Sequence, residues 1–124
     1  MRYSRTKIPL TASGDIASST NPKTWTDFAT AKKSEAGVGL GFVLGDGIGC
    51  IDVDHCVTEG TIDPRALELV ESTEHFYAEI SPSGDGIHIW HHAEESAGTR
   101  KVENGLRVER YSTGRYITVT GRKL

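Results

Sequence analysis

The run Ile51-Asp52-Val53-Asp54 places two carboxylates one residue apart inside an otherwise apolar stretch. Successive side chains of a β-strand point to opposite faces. If the run is a strand, Asp52 and Asp54 share one face, while Ile51 and Val53 face a core. Like charges on one face repel each other unless a positive charge lies between them, and hard divalent cations bind carboxylate oxygens. The pattern therefore predicts half of a metal site; an acidic pair on a solvated strand face is the alternative.

The chain has 124 residues, which is enough for one domain with a single hydrophobic core. We therefore predict one domain over residues 1–124. No apolar run approaches the roughly 20 residues that a membrane helix needs, and the N-terminus lacks the pattern of a signal peptide. Cys50 and Cys56 would lie too far apart on one strand to form a disulfide, which favours free thiols in a reducing compartment. We expect a cytoplasmic protein without a membrane partner.

Charge is segregated along the chain. Residues 1–35 carry six Lys or Arg and three acids, residues 36–98 carry one Arg and twelve acids, and residues 99–124 carry seven Lys or Arg and two acids. An acidic middle between basic ends is compatible with a metal–carboxylate centre flanked by phosphate-binding cations. The sequence shows no broad basic face, so tight nucleic-acid binding by charge alone is not expected.

Hydrophobic periodicity and turn signals predict two helices and six short strands. The first helix is expected at 23–34 with Trp25 and Phe28 buried, and the second at 64–72 with Ala66, Leu67 and Val70 facing inward. The predicted strands are 38–44, 48–55, 76–80, 87–90, 106–111 and 115–119. The first two strands are expected to form a hairpin through Gly45-Asp46-Gly47. The polar segment 93–105 is expected to be a mobile connection. Hairpin links predict an α+β domain with a mainly antiparallel sheet.

A turn of small residues, Ser81-Pro82-Ser83-Gly84-Asp85-Gly86, precedes a strand that begins Ile87-His88. Hydroxyls and exposed backbone N–H groups in such a turn hold anions. His88 lies on the face opposite Ile87 and can share the polar face with the acidic pair. An imidazole beside an anion site suits the triphosphate of a nucleotide, while an ordinary tight turn followed by a strand histidine is the alternative. The turn lacks the lysine and the helix start of a P-loop.

A third carboxylate, Glu109, lies in the strand predicted at 106–111. Alternation places it on a polar face with Arg107 and Tyr111. A carboxylate from a separate strand is what a two-metal centre needs, because two ions about 4 Å apart require bridging and terminal oxygens. A salt bridge from Glu109 to Arg107 or Arg115 is the alternative. Arg115 follows a turn and could reach either a phosphate or Glu109.

In this order the three elements resemble the motifs of the archaeo-eukaryotic primase superfamily. The resemblance is closest to the prim-pol family, the primase-polymerase domain often fused to helicases of phages and plasmids. It extends over nearly the whole chain. The segments that carry it are Lys7-Ile8-Pro9, residues 17–25, residues 38–44, IDVDHC at 51–56, SPSGDGIHI at 81–89 and residues 111–121.

The resemblance implies a catalytic core with an RRM-like sheet joined to a small N-terminal α/β unit. It implies that Asp52 and Asp54 form the first metal-binding motif and that Glu109 completes a site for Mg²⁺ or Mn²⁺. It also implies a catalytic role for His88 beside the incoming nucleotide. The residues that would bind the nucleotide are Ser81, Ser83, Gly84, Gly86, His88 and Arg115.

We therefore expect a metal-dependent nucleotidyltransferase, a minimal primase-polymerase catalytic domain in phage or plasmid replication. It would add NTPs or dNTPs on a single-stranded DNA template in the cytoplasm, which for a phage protein is that of the host cell. A replicative helicase, or a helical primase domain in trans, is a further expected partner. A two-metal nuclease or phosphoesterase that uses the same acids is one alternative. A non-catalytic nucleotide- or DNA-binding replication module is the other.

Overall fold

A computed structural model describes all 124 residues and divides them into two compact units. Unit 1 comprises Met1–Val43 and Gly114–Val119, and unit 2 comprises Leu44–Thr113 and Thr120–Leu124. The strands are β1 (Arg2–Tyr3), β2 (Pro9–Leu10), β3 (Gly39–Val43), β4 (Ile48–Asp54), β5 (Val57–Thr58), β6 (Thr61–Ile62), β7 (Tyr77–Ile80), β8 (Ile87–His92), β9 (Thr99–Glu103), β10 (Leu106–Tyr111) and β11 (Tyr116–Val119). The helices are a 3-10 turn at Pro22–Thr24, α1 (Phe28–Lys33) and α2 (Pro64–Ser72). Few helices and antiparallel sheets confirm the α+β class.

The sheet of unit 1 has the strand order β11-β3-β1-β2. Two tyrosine rings explain why β3 contains two glycines. A Cβ atom at Gly39 would lie 2.6 Å from the Tyr3 hydroxyl oxygen, and one at Gly41 would lie 2.5 Å from a ring carbon of Tyr116. Real Cβ atoms do not approach other atoms so closely, so these positions accept only glycine unless the rings move. The glycines therefore leave space for the rings of Tyr3 and Tyr116 to pack against the sheet.

The predicted helix at 23–34 is wrong in extent, because the chain leaves helical geometry after the 3-10 turn. Trp25 is extended, and the carboxylate of Asp27 then accepts the Thr30 backbone N–H at 2.7 Å, which caps a new, shorter helix. The predicted burial of the aromatic pair is also wrong. Phe28 is 68% exposed and Trp25 is 36% exposed, with the indole N–H of Trp25 donating to the Ser18 carbonyl at 2.7 Å.

The sheet of unit 2 has the strand order β7-β8-β4-β10-β9, and every pair is antiparallel. One face carries the hydrophobic core, which includes Ile51, Val53, Ile89 and Val108, with Ala66 of α2 packed in the same cluster. The second helix spans the residues predicted for it, but Leu67 is 40% exposed instead of facing inward. Its neighbours Leu69 and Val70 pack against the core. No helix of the protein has both the length and the apolar character required to span a membrane.

The predicted hairpin between the strands at 38–44 and 48–55 does not form. The turn at Gly45-Asp46-Gly47 has positive φ angles, but the only pairing across it joins Gly45 and Ile48. β4 is paired on one side by β8 and on the other by β10, so neither side is open to β3, which belongs to the other sheet. The segment predicted as a mobile connection at 93–105 contains β9, which pairs with β10 along its whole length.

Truncating Ile89 to alanine tests the core of unit 2. This side chain is fully buried on β8, so Ile89→Ala is expected to lower the free energy of unfolding by about 2–5 kcal/mol, because it removes buried methylene groups and leaves a cavity. The measurement is urea unfolding. Val102→Ala on β9, where the side chain is 73% exposed, is the control and should change stability by less than about 0.5 kcal/mol. Equal losses in the two variants would contradict the assignment of the core.

Asp63 gives a pH-dependent prediction at the start of α2. Its carboxylate accepts hydrogen bonds from the side chain and the backbone N–H of Arg65, which lower its pKa to about 2. Since the folded pKa lies below the unfolded value, the stabilisation is present above about pH 4 and is lost as the pH falls towards about 2. Asp63→Asn keeps a capping side chain but loses the charge. Its deficit in urea midpoint should be present at neutral pH and should vanish near pH 2; a deficit independent of pH would refute this.

Candidate metal centre

The register of unit 2 aligns five polar side chains across the sheet. Directly opposite one another are Glu79 and His88, His88 and Asp52, Asp52 and Glu109, and Glu109 and Arg100. We call these five residues the polar row. Because strand residues alternate between faces, the row lies on the face opposite the hydrophobic core. One register thus fixes both the core and the polar face.

Three acids converge near the middle of the polar row. Asp52 and Asp54 from β4 and Glu109 from β10 each offer a carboxylate oxygen, and these oxygens lie within 4.8 Å of one another. We call these three residues the carboxylate cluster. All three side chains are partly exposed, so an ion from solvent can reach them. The donor set consists only of hard oxygens, which fits Mg²⁺ or Mn²⁺ better than a soft metal.

Glu109 has a cationic partner that sequence reasoning missed. The Arg100 guanidinium Nε lies 2.9 Å from a Glu109 carboxylate oxygen, and the Tyr111 hydroxyl donates to the same oxygen at 3.2 Å. The alternatives considered from sequence were Arg107 and Arg115, whereas Arg107 lies opposite Asp54 in the register. Sequence reasoning misses Arg100 because it predicts a connection, and not a strand, at 93–105. The structure therefore places Glu109 both in a salt bridge and in the cluster.

Glu79, at the other end of the polar row, was also missed. Its side chain is fully buried, and its carboxylate accepts a hydrogen bond from His88 Nδ1 at 3.0 Å. The backbone N–H groups of Thr120 and Gly121 donate to it at 3.2 and 3.1 Å. Burial raises the pKa of Glu79, but the hydrogen bonds from His88 and from the two backbone groups together outweigh this effect, so the pKa lies below its ordinary value. Glu79 is therefore a buried, charged carboxylate.

His88 lies between Glu79 and the carboxylate cluster. Its side chain is 3% exposed, and Nε2 lies 3.8 Å from an Asp52 carboxylate oxygen, while Nδ1 faces Glu79. The sequence placed His88 on the face of the acidic pair, and the structure shows the same arrangement. The only signal for Glu79 was its position in an alternating strand, and that signal identifies a partner only once the register is known.

The loop at 81–86 is organised by its own side chains. The Ser81 hydroxyl accepts the Gly86 backbone N–H at 3.1 Å, and the Ser83 hydroxyl donates to Asp85 at 2.6 Å. Gly84 has φ 83°, a left-handed conformation that favours glycine, and its N–H donates to the Ser81 carbonyl. These bonds give the loop a defined shape. Its contact with phosphate, through Ser81, Ser83, Gly84 and Gly86, stays a prediction.

The same loop is fixed against the end of β4, immediately after Asp54. Asp85 contacts His55 Nδ1 at 2.9 Å, and its backbone carbonyl accepts the Cys56 N–H. The hydrogen bonds from Ser83 and His55 lower the pKa of Asp85. A Cβ atom at Gly86 would lie 2.7 Å from the Val53 carbonyl oxygen, so only glycine fits this approach. The loop therefore lies next to the carboxylate cluster.

Arg115 belongs to unit 1, where it directly precedes β11. The other predicted site residues all belong to unit 2. The contact of Arg115 with a nucleotide stays a prediction. Both cysteines are free, as the sequence indicated, and the structure shows that both are buried.

Comparison with known proteins tests the resemblance that the motifs indicate. No family model matches the chain. The DNA Primase-polymerase of Nitratiruptor phage NrS-1 is 38% identical over 130 residues, and the match covers 94% of this chain. The chain spans 18% of the length of that relative. The match confirms the resemblance seen in the motifs: over nearly its whole length, this chain is similar to part of a phage primase-polymerase.

Proposed function

We propose that this chain carries the nucleotidyltransferase centre of a primase-polymerase, which adds NTPs or dNTPs to a growing strand on a single-stranded DNA template. The observation that supports this most strongly is the convergence of Asp52, Asp54 and Glu109, whose oxygens lie within 4.8 Å of one another on the face that carries His88. The name of the phage relative supports the same activity. Since the chain spans 18% of that relative, the activity of the whole protein is part of the proposal.

Asp52, Asp54 and Glu109 would hold Mg²⁺ or Mn²⁺. When bound, such ions activate the attacking hydroxyl and neutralise charge on the triphosphate and on the leaving pyrophosphate. The chain's own contribution is a rigid arrangement of ligands. Asp52 and Asp54 project from the central strand, which is paired on both sides and whose opposite face is buried in the core. Positioning and electrostatics supply most of the catalysis in phosphoryl transfer, so few further groups are required.

His88 and the loop at 81–86 would hold the triphosphate. Because Nδ1 of His88 faces Glu79, Nε2 is the ring nitrogen on the side of the cluster and is the atom that we assign to a phosphate oxygen. The loop is fixed beside Asp54, so a phosphate that it held would lie close to the carboxylates. A contact from Arg115 is retained on the resemblance alone.

The proposed partners are single-stranded DNA, nucleotides, and a replicative helicase or a helical primase domain. The phage origin of the relative supports a role in phage replication in the cytoplasm of an infected cell.

Removing one carboxylate charge tests the catalytic proposal. Asp52→Asn and Asp54→Asn keep the shape of the side chain but remove a metal ligand, and each should reduce nucleotide incorporation by about a thousandfold or more, because charge stabilisation by the metal is worth several kcal/mol. The measurement is extension of a labelled primer on a DNA template with Mn²⁺. Asp46→Asn, in an exposed turn, is the matched control and should be fully active. Incorporation by a folded Asp52→Asn/Asp54→Asn double variant would defeat the proposal.

Metal binding gives a readout that does not depend on catalysis. Mn²⁺ should raise the Tm of the protein in differential scanning fluorimetry, because an ion that binds only the folded state stabilises it by about 2.7 kcal/mol at a concentration one hundred times Kd. Asp54→Asn and Glu109→Gln should lose this increase. Without metal, Asp54→Asn should keep or raise the Tm, because it relieves repulsion within the cluster, whereas Glu109→Gln also loses its ion pair with Arg100. An undiminished increase with Mn²⁺ in both variants would place the ion elsewhere.

A further inference from the structure

Glu79 is a buried charge that the proposed chemistry does not use directly. Its side chain has no exposure to solvent. Burying a carboxylate is costly unless hydrogen bonds and opposite charge compensate for it. The contacts that compensate the buried charge of Glu79 therefore indicate its role.

Both oxygens of the Glu79 carboxylate are occupied. Oε1 accepts the N–H groups of Thr120 and Gly121, and Oε2 lies 3.0 Å from His88 Nδ1. The segment that supplies these N–H groups is itself fixed to β7, since the Ile80 N–H donates to the Arg122 carbonyl at 2.8 Å. Glu79 is thus held by the backbone of residues 120–121 as well as by His88. Because an ionised carboxylate only accepts hydrogen bonds, the proton between Glu79 and His88 belongs to Nδ1.

His88 is constrained from a second direction. The ring of Trp90, two residues further along β8, meets the His88 ring edge-on, with the ring centroids 6.4 Å apart and the planes at 87°. Glu79 and Trp90 together set the plane of the imidazole. The remaining ring nitrogen, Nε2, then lies 3.8 Å from an oxygen of Asp52. The orientation of Nε2 towards the cluster follows from these contacts.

We propose that Glu79 is a positioning residue for nucleotide binding: its hydrogen bond with Nδ1 fixes the orientation of the His88 ring and directs Nε2 towards the triphosphate. This inference rests on the proposed function, because the contact between His88 and a nucleotide is itself proposed. A purely structural role, in which Glu79 only attaches residues 120–121 to the sheet, is the competing explanation. The two differ in whether the effect of Glu79 requires His88.

The first test measures the proton directly and does not involve catalysis. In the full chain with ¹⁵N-labelled histidine, a long-range ¹H–¹⁵N correlation spectrum should show a proton on Nδ1 of His88. In Glu79→Gln, where an amide can donate to Nδ1, this signal should weaken or move to Nε2. A wild-type spectrum with a proton on Nε2 and none on Nδ1 would overturn the proposal, whether or not the variant folds.

The second test asks whether Glu79 acts through His88. Glu79→Gln should raise the KM for dNTP about tenfold or more, by analogy with the partners that orient metal-ligating histidines, whose removal costs about that much. Its Mn²⁺ affinity should be unchanged. In a His88→Ala background the same substitution should add no further loss. A full additional loss in that background would assign Glu79 a structural role and refute positioning.

Two comparisons keep the outcomes separate. Glu71→Gln on α2, an exposed position with the same chemical change, should leave incorporation unchanged. If Asp52→Asn retained incorporation, the proposed function would fail, yet the position of the His88 proton would still be measured. If incorporation depended on Asp52 while Glu79→Gln had the same KM as the wild type, only the positioning role would fail.

Discussion

The polar row of unit 2 can form only if other charges compensate the repulsion between its neighbouring acids. Two unit charges about 4 Å apart interact by roughly 4 kcal/mol at an effective dielectric of about 20, so three neighbouring carboxylates need compensation. The polar row supplies positive charge at the end of the cluster where Arg100 lies. Arg100 contacts Glu109 on one side, and the imidazole of His88 lies beside Asp52 on the other, supported by Glu79. A divalent cation would complete the balance in the middle.

The hydrophobic core fixes the position of the polar row. Ile51 and Val53 bury the opposite face of the strand that carries Asp52 and Asp54, and Val108 does the same beside Glu109. A slip of one residue in any pairing would exchange core and polar side chains between faces, so the cost of exposing the core protects the register. The position of each acid is therefore maintained by its apolar neighbours, and the geometry of the site is a consequence of packing on the other side of the sheet.

Local patterns in the sequence were sufficient for some of this arrangement and insufficient for the rest. Alternation alone placed Asp52 and Asp54 on one face, and Pro64 marked the start of α2. Alternation does not say which strands are neighbours, so it could not identify Arg100 as the partner of Glu109 or connect Glu79 to His88.

Three predictions were wrong because tertiary contacts or a helix cap overrode the local sequence pattern. The glycine-containing turn after β3 looked like a hairpin, but the pairing of β4 with β8 and β10 is decided by contacts distant in sequence. β9 looked like a connection because it lies at the edge of the sheet, where polar side chains on both faces hide the period of a strand. The exposed Phe28 likewise follows from a helix boundary set by one capping aspartate.

Because β9 lies at the edge of the sheet, the counter-ion of the centre and its metal ligands depend on strands of different stability. β9 is paired with β10 alone, and it carries Arg100, whereas the metal ligands lie on β4 and β10 in the interior of the sheet. Fraying begins where backbone support is weakest. Transient detachment of this outer strand would take the counter-ion away and deepen the negative potential over the acids without displacing any of them.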